Sequence, residues 1–132
     1  MSKTNISIAV VDDDASFARA LGRLLRAAGF EVLTYPSGET FLAAKTLPPP
    51  DCLVFDIQLG SGMDGVELLQ QLRERGTLTP VIFVTAHDAA DIREQALEAG
   101  CVAYLRKPVA SRTLLEAVTK AMGDGGKVTS RQ

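Results

Sequence analysis

The sequence contains no tryptophan, a single histidine and only two cysteines among its 132 residues. The two cysteines, Cys52 and Cys101, lie far apart in apolar sequence and have neither the number nor the spacing of a disulfide framework or a cysteine-ligated metal site. We therefore predict that both are free thiols that pack as small hydrophobic side chains, in a reducing compartment and without a disulfide.

Long hydrophobic runs and an excess of positive charge are also absent. No apolar run reaches the length of a membrane-spanning helix, and the first five residues are polar, unlike a signal peptide. The formal net charge is -2, whereas nucleic-acid-binding domains are usually basic. These absences predict a cytoplasmic protein with no membrane segment and no direct nucleic-acid contact in this domain, so that any DNA contact would need another module.

The composition that remains is that of one globular domain, with 46% hydrophobic and 23% charged residues. Short β-rich apolar runs alternate with segments whose apolar residues recur at helical spacing. The predicted strands are Ile6 to Val11, Glu31 to Tyr35, Cys52 to Phe55, Val81 to Thr85 and Val102 to Leu105. We expect this domain to occupy residues 1–122 and residues 123–132 to be a flexible tail or the start of a linker.

A helix is predicted after each strand, with recognisable start and stop signals. The first helix is predicted between the acidic turn Asp12-Asp13-Asp14 and Gly29, and the second between Ser37 and Pro48. The third is predicted between Val66 and Gly76, the fourth between Asp88 and Gly100, and the fifth between Ser111 and Met122. The fourth helix carries little apolar bulk besides Ile92 and Leu97. We expect that helix to bury little surface and to be loosely held.

Five strands that alternate with five helices predict an α/β fold, a doubly wound parallel sheet of the flavodoxin-like (βα)5 type. The expected strand order for such a sheet is 2-1-3-4-5, which makes the first and third strands neighbours at the switch point. This order places Asp12 and Asp13 beside Asp56, and ligands of such sheets bind at the carboxyl ends of the strands.

Polar residues lie at or just after the carboxyl ends of predicted strands and therefore at that edge. They are Asp12, Asp13, Asp56, Thr85 and Lys107. Each could by itself be a helix cap, a turn residue or a solvated side chain, but their shared position favours a site. A pair of carboxylates about 4 Å apart repels by about 4 kcal/mol at an effective dielectric of about 20. A hard divalent cation offsets this cost, and the oxygen-only ligand set favours Mg2+. Thr85 and Lys107 suit a phosphoryl group in transfer, with Asp56 as the nucleophile.

With these features the sequence resembles the receiver domain of two-component response regulators, the CheY-like family. The likeness runs from about Ile6 to Met122. The motifs that carry it are Val-Asp-Asp at 11 to 13, Asp56 after an apolar strand, Met-Asp-Gly at 63 to 65, Thr85-Ala86 and Lys107-Pro108. Each motif is weak alone, but the ordered set is specific for the family.

The resemblance implies a role for each matching residue. Asp56 would be the phosphoacceptor, and Mg2+ would be bound by Asp13, Asp56 and the backbone carbonyl of Gln58, with Asp12 acting through water. The phosphoryl oxygens would be held by Thr85, the Ala86 amide and Lys107. Tyr104 would take the aromatic switch position, together with Thr85.

The resemblance also implies phosphorelay signalling. The partner would be a sensor histidine kinase or a phosphotransfer protein, and the domain would not be an enzyme beyond its own Mg2+-dependent phosphorylation and dephosphorylation. The face formed by the fourth helix, fifth strand and fifth helix would contact an output partner or a second copy in a homodimer.

Two departures from the family pattern concern the surroundings of the site. The loop after Asp56 lacks the proline commonly found there, and Gly60-Ser61-Gly62 makes it one residue longer than usual. Val102-Ala103 replaces the acidic residues that one large transcription-factor branch carries before the switch aromatic.

Two other functions stay open at this point. They are an aspartyl phosphatase that uses the Asp-x-Asp pattern at 12 to 14, and a docking module that is never phosphorylated.

Overall fold

The computed structural model describes residues 6–45, 48–60, 62–86 and 89–126. It describes residues 124–126 by their backbone alone. Strands and helices alternate throughout. They are β1 Ser7–Val11, α1 Ala15–Ala27, β2 Glu31–Tyr35, α2 Gly38–Ala44, β3 Cys52–Phe55, α3 Gly65–Glu74, β4 Val81–Thr85, α4 Ala90–Glu98, β5 Ala103–Arg106 and α5 Ser111–Gly126. Among the described residues, no helix is long and apolar enough to cross a membrane.

The five strands form one parallel sheet in the order β2-β1-β3-β4-β5, as predicted. The inner strands β3 and β4 are buried along their whole length, which explains their unbroken apolar sequence. One hydrophobic cluster, which includes Leu25, Leu114 and Val118, packs α1 and α5 against one face of the sheet. A second cluster packs the opposite face against α2, α3 and α4. The predicted doubly wound α/β fold is therefore confirmed.

Strand and helix ends differ from the predicted ones in several places. β1 begins at Ser7, one residue after the predicted start, and β5 spans Ala103–Arg106 instead of Val102 to Leu105. The shift in β5 follows from its pairing with β4, which continues to the pair Thr85 and Arg106 although Arg106 is polar. Val102, predicted inside the strand, is 51% exposed.

Two predicted helix caps are wrong in position. The first hydrogen bond of α5 runs from the Leu114 N–H to the Ala110 carbonyl, so Ser111 is the first helical residue and not the cap. The first hydrogen bond of α4 is accepted by the Ala89 carbonyl, and Ala89 has no side chain that can cap. Asp88, the predicted cap of α4, lies outside the described residues.

The C-terminal helix α5 continues through Gly126, four residues beyond its predicted end at Met122. The limit between a domain at 1–122 and a tail at 123–132 therefore stays a prediction. Residues 127–132 lie outside the described residues.

Both cysteines are free thiols, as predicted. Cys52 is fully buried in β3, whereas Cys101 is only partly buried. Burial raises the pKa of the Cys52 thiol to about 12, because a thiolate would be poorly solvated among apolar neighbours.

Candidate functional site

The site begins where β1 and β3 end side by side. Val11 and Phe55 are paired at the ends of these strands, so the residues that follow them, Asp12 and Asp56, become neighbours. The Asp56 N–H donates to the Val11 carbonyl at 3.0 Å, which fixes the backbone of the two turns together. One carboxylate oxygen from each of Asp12, Asp13 and Asp56 lies within 4.8 Å of the others. The predicted carboxylate cluster is therefore present.

The three carboxylates differ in exposure. Asp12 is 3% exposed and Asp56 8% exposed, whereas Asp13 faces solvent. The Asp12 Oδ1 atom accepts the N–H of Asp14, and the Asp14 side chain in turn caps α1 by accepting the N–H of Phe17 at 3.1 Å. The acidic triplet thus combines both roles weighed for it, because Asp14 caps the helix while Asp12 and Asp13 join the cluster.

Lys107 enters the cluster from the end of β5. Its N–H donates to the Thr85 carbonyl at 2.8 Å, and its Nζ lies 3.0 Å from Asp12 Oδ2 and 3.1 Å from Asp56 Oδ2. The ammonium also lies 4.1 Å from the ring centroid of Phe17, a cation–π contact. Three carboxylates and one ammonium leave two formal negative charges in this cluster.

The pKa shifts of Lys107 and Asp12 reflect burial set against their hydrogen bonds. Burial opposes the charged form of Lys107, but its hydrogen bonds to Asp12 and Asp56 outweigh burial and raise its pKa, so the ammonium stays charged. Burial raises the pKa of Asp12 more than its hydrogen bonds to the Asp14 N–H and to Lys107 lower it. The pKa of Asp12 is therefore raised by burial although Lys107 is adjacent.

A cleft of about 630 Å3 opens over this cluster. Its lining includes the predicted site residues Asp13, Asp56, Gln58, Ala86 and Lys107, and α4 contributes Ile92 and Gln95. The Gln58 N–H donates to Asp56 Oδ1 at 3.1 Å, which holds the following loop against the aspartate. Thr85 is fully buried at the end of β4, next in sequence to Ala86.

Tyr104 is the predicted site residue that lies apart from the carboxylates. It is paired with Phe83 across β4 and β5 and packs, half-buried, against the second hydrophobic cluster. The Arg93 guanidinium from α4 lies 5.7 Å from the centre of its ring. Tyr104 therefore links β5 to α4.

Two residues contribute to the site in ways that the sequence did not indicate. Phe17 has helical spacing typical of a core residue, yet its ring contacts Lys107. Gly65 begins α3, and a Cβ atom there would collide with the Asp56 carbonyl oxygen and lie 2.9 Å from Ile57 Cα. The glycine of the Met-Asp-Gly motif is thus required by close packing behind Asp56, which only three-dimensional contacts reveal.

The donor atoms at this site fit a hard divalent cation. All three clustered ligands are carboxylates, and within the described residues no histidine or cysteine joins them. Asp13 offers an exposed carboxylate toward the cleft, whereas both oxygens of Asp12 already accept hydrogen bonds. An oxygen-only set with room for water ligands is the environment that Mg2+ prefers in proteins.

Comparison with known proteins gives a consistent family. The family model described as the response regulator receiver domain matches residues 8–119. The chain is 42% identical over 99 residues to the DNA-binding transcriptional regulator NtrC of Klebsiella pneumoniae, covering 75% of this chain and 21% of that protein. It is 33% identical over 126 residues to the transcriptional regulatory protein TdiR of Thauera aromatica, covering 96% of this chain and 55% of that protein. The chain therefore spans about a fifth to a half of the length of these relatives.

A solved structure supports the same assignment through the whole fold. The CheY-like receiver domain protein from Methanospirillum hungatei JF-1 superposes with a TM-score of 0.88 at 28% identity, covering 96% of this chain and 100% of that chain. The family match, the sheet order and the carboxylate cluster at the strand ends lead to one conclusion. The chain belongs to the family of response regulator receiver domains of two-component signalling.

Proposed function

We propose that this chain acts in phosphorelay signalling, the general function of its family, by accepting a phosphoryl group on Asp56. The observation that carries the proposal is the position of Asp56 at the base of the cleft, with Lys107 Nζ at 3.1 Å and two further carboxylates beside it. A carboxylate with only a capping role would need none of these neighbours.

In the proposed reaction a carboxylate oxygen of Asp56 forms a bond to phosphorus. The bond between phosphorus and the donor breaks at the same centre, so the electron pair leaves with the histidine nitrogen of a kinase or the oxygen of a small phosphodonor. Such a transfer depends on positioning and on stabilisation of charge on the phosphoryl oxygens. Lys107 supplies a positive charge from one side, and the Ala86 amide and Thr85 hydroxyl are the proposed donors from the end of β4.

Receiver domains bind Mg2+ at an acidic pocket, and the residues present here suit that ion. Asp13, Asp56 and the backbone carbonyl of Gln58 are the proposed direct ligands, because they line the cleft. Asp12 is proposed to act through water, because it is only 3% exposed and is not among the residues that line the cleft. When bound, Mg2+ would neutralise the two negative charges in excess and orient a phosphoryl oxygen.

The proposed partners lie on either side of this reaction. A sensor histidine kinase or a phosphotransfer protein would donate the phosphoryl group. Output would pass through the face of α4, β5 and α5 to an output partner or a second copy of the chain. Similar proteins include the DNA-binding transcriptional regulator NtrC, which favours coupling to transcription, but this domain itself has no proposed contact with DNA.

The proposal is tested by incubating the purified chain with acetyl phosphate and Mg2+ and measuring the intact mass and the labelled peptide. We expect one phosphoryl group on wild type, none on Asp56→Asn, and none on wild type with EDTA in place of Mg2+. The matched control is Asp91→Asn, which removes an exposed carboxylate of α4 and should be labelled like wild type.

The possible results separate the proposal from its two alternatives. Labelling of Asp56→Asn at the wild-type rate and stoichiometry would refute the phosphoacceptor assignment. Release of phosphate without a stable label on Asp56 would indicate an aspartyl phosphatase, and no reaction with any phosphodonor would indicate a docking module.

A further inference from the structure

The loop between β3 and α3, of which residues 57–60 and 62–64 are described, is held at both ends. Ile57 and Leu59 are 3% and 4% exposed and anchor its first half in the second hydrophobic cluster. The Gly65 N–H donates to the Ile57 carbonyl at 2.7 Å, which closes the base of the loop. At its far end Asp64 forms a capping box with Glu67. What needs explanation is the glycine-containing segment between these anchors.

That segment passes next to the exposed carboxylate of the cluster. A Cβ atom on Gly60 would lie 3.4 Å from Asp13 Oδ2, so the backbone at Gly60 borders the proposed cation site. Gly60 has φ +82°, a conformation that glycine adopts readily. The segment lacks the proline that the family commonly has after the acceptor, and it is one residue longer. Since residues 57–64 contain no proline, contacts with other parts of the chain are needed to restrain this segment.

Glu39 supplies such a contact from α2, a different element of the fold. Its Oε2 atom accepts the N–H of Met63 at 2.9 Å, a bond that spans 24 residues of sequence. A Cβ atom on Gly62 would lie 2.6 Å from the same oxygen, so an alanine at residue 62 would displace the carboxylate from its present position. The Met63 N–H also lowers the pKa of Glu39, as expected for a carboxylate that accepts a hydrogen bond in its charged form.

We propose that Glu39 is a positioning residue that fixes the lengthened loop beside Asp13 and thereby sets the loop side of the cation site. The proposal rests on the proposed function, because the loop carries the Gln58 carbonyl assigned to Mg2+. Glu39 itself is outside the carboxylate cluster and is not among the residues that line the cleft. Its role is to restrain the loop in the geometry that binds the cation, where flexibility would cost affinity.

The test compares direct Mg2+ binding, followed by amide chemical shifts without any phosphodonor, in wild type and three variants. Glu39→Ala removes the acceptor, and Gly62→Ala displaces it while leaving the carboxylate in place. Glu39→Gln keeps an acceptor oxygen but removes the charge. We expect Mg2+ affinity to fall about fivefold to tenfold in the first two variants and to stay near wild type in the third, as for loss of one hydrogen bond of ordinary strength at an exposed position.

Amide exchange at Met63 gives a readout of the contact that does not depend on metal or phosphorylation. Exchange of the Met63 amide should be faster in Glu39→Ala and Gly62→Ala than in wild type. Exchange of the amides of α2 and α3 should be unchanged. In acetyl phosphate labelling both variants should need more Mg2+ but reach the wild-type maximal rate. A purely structural defect would instead lower the maximal rate and the stability together.

Two results would overturn the proposal. One is wild-type Mg2+ affinity in a folded Glu39→Ala protein whose Met63 amide exchanges faster. The other is equal weakening in Glu39→Gln and Glu39→Ala, which would assign the effect to the charge of Glu39 and not to its hydrogen bond. Failure of wild type to accept a phosphoryl group would count against the proposed function alone, because the binding and exchange comparisons do not use that reaction.

Discussion

At the scale of single residues, the most informative contrast is between the adjacent aspartates 12 and 13. Asp12 is buried, and its two oxygens accept hydrogen bonds from Lys107 and from the Asp14 N–H. Asp13 is exposed, lines the cleft, and has no hydrogen bond or ion pair within the described part of the chain. The same side-chain chemistry therefore serves two purposes, since one carboxylate orients Lys107 and the other is available to a cation.

This contrast predicts unequal effects of two matched substitutions on Mg2+ binding. Asp13→Asn should lower the affinity by more than about 100-fold, because Asp13 is the proposed direct ligand, whereas Asp12→Asn should cost about 10-fold to 100-fold, the range of outer ligand partners. Both affinities can be measured by isothermal titration without a phosphodonor. Equal affinity in wild type and Asp13→Asn would rule out direct coordination by Asp13.

At the scale of secondary structure, α4 is the weakest element that borders the site. Ala96 is its only buried residue among the described ones, and the Ala89 N-cap makes no side-chain hydrogen bond. By contrast α1, α2 and α3 are capped by Asp14, Ser37 and Asp64. The prediction of a loosely held fourth helix agrees with this burial. Ile92 and Gln95 of α4 line the cleft, so a ligand there would lie against a helix that buries little.

Adding the missing cap should stabilise α4 without touching the cleft. Ala89 has φ -99° and ψ 143°, the extended geometry of an N-cap residue, so a serine there can accept a helix N–H. We expect Ala89→Ser to gain about 0.5 to 1 kcal/mol in the local opening free energy of α4. Hydrogen exchange of amides 90–98 measures this gain. Ala90→Ser, one position into the helix, is the matched control and should show none.

The helix ends also show where prediction from sequence stops. Ser37 was recognised as a cap because a polar residue precedes a clear apolar pattern, and its Oγ does accept the Thr40 N–H. Ser111 met the same criteria but lies inside α5, because the helix gains one more hydrogen bond to the Ala110 carbonyl. Local propensity leaves the first residue of such a helix uncertain by one position, and tertiary packing determines which position is used.

At the scale of the whole molecule, the sheet order made most of the site predictable. Once β1 and β3 are neighbours, Asp12 and Asp56 must meet, and the same reasoning brings Lys107 to the edge beside Thr85. Side-chain contacts between two elements could not be predicted in this way, because no sequence pattern connects the two residues. The reach of Glu39 to Met63 and the ring of Phe17 against Lys107 depend on side-chain directions that only the packed structure fixes.

The same architecture offers a path from the cleft to the proposed output face. A phosphoryl group on Asp56 would add strong acceptor oxygens near the end of β4, where Thr85 is the proposed donor. Beyond Thr85, the strand β5 carries Tyr104, whose ring contacts the second hydrophobic cluster and lies 5.7 Å from the Arg93 guanidinium of α4. A preference of about 3 kcal/mol for a shifted α4 would make a conformer that is populated at about 10% the dominant one.

Hydrogen exchange with beryllofluoride and Mg2+, which mimic the phosphoryl group, tests this path across the molecule. We expect altered protection in α4 and β5, because the few buried contacts of α4 make it the element that yields when Thr85 and Tyr104 rearrange. Asp56→Asn treated identically is the control and should show no change, since it lacks the acceptor carboxylate. If wild type changed only in the loops around Asp13 and Asp56, with protection unaltered across residues 89–115, phosphorylation would not be transmitted through α4. The output of this chain would then have to be read directly at the cleft.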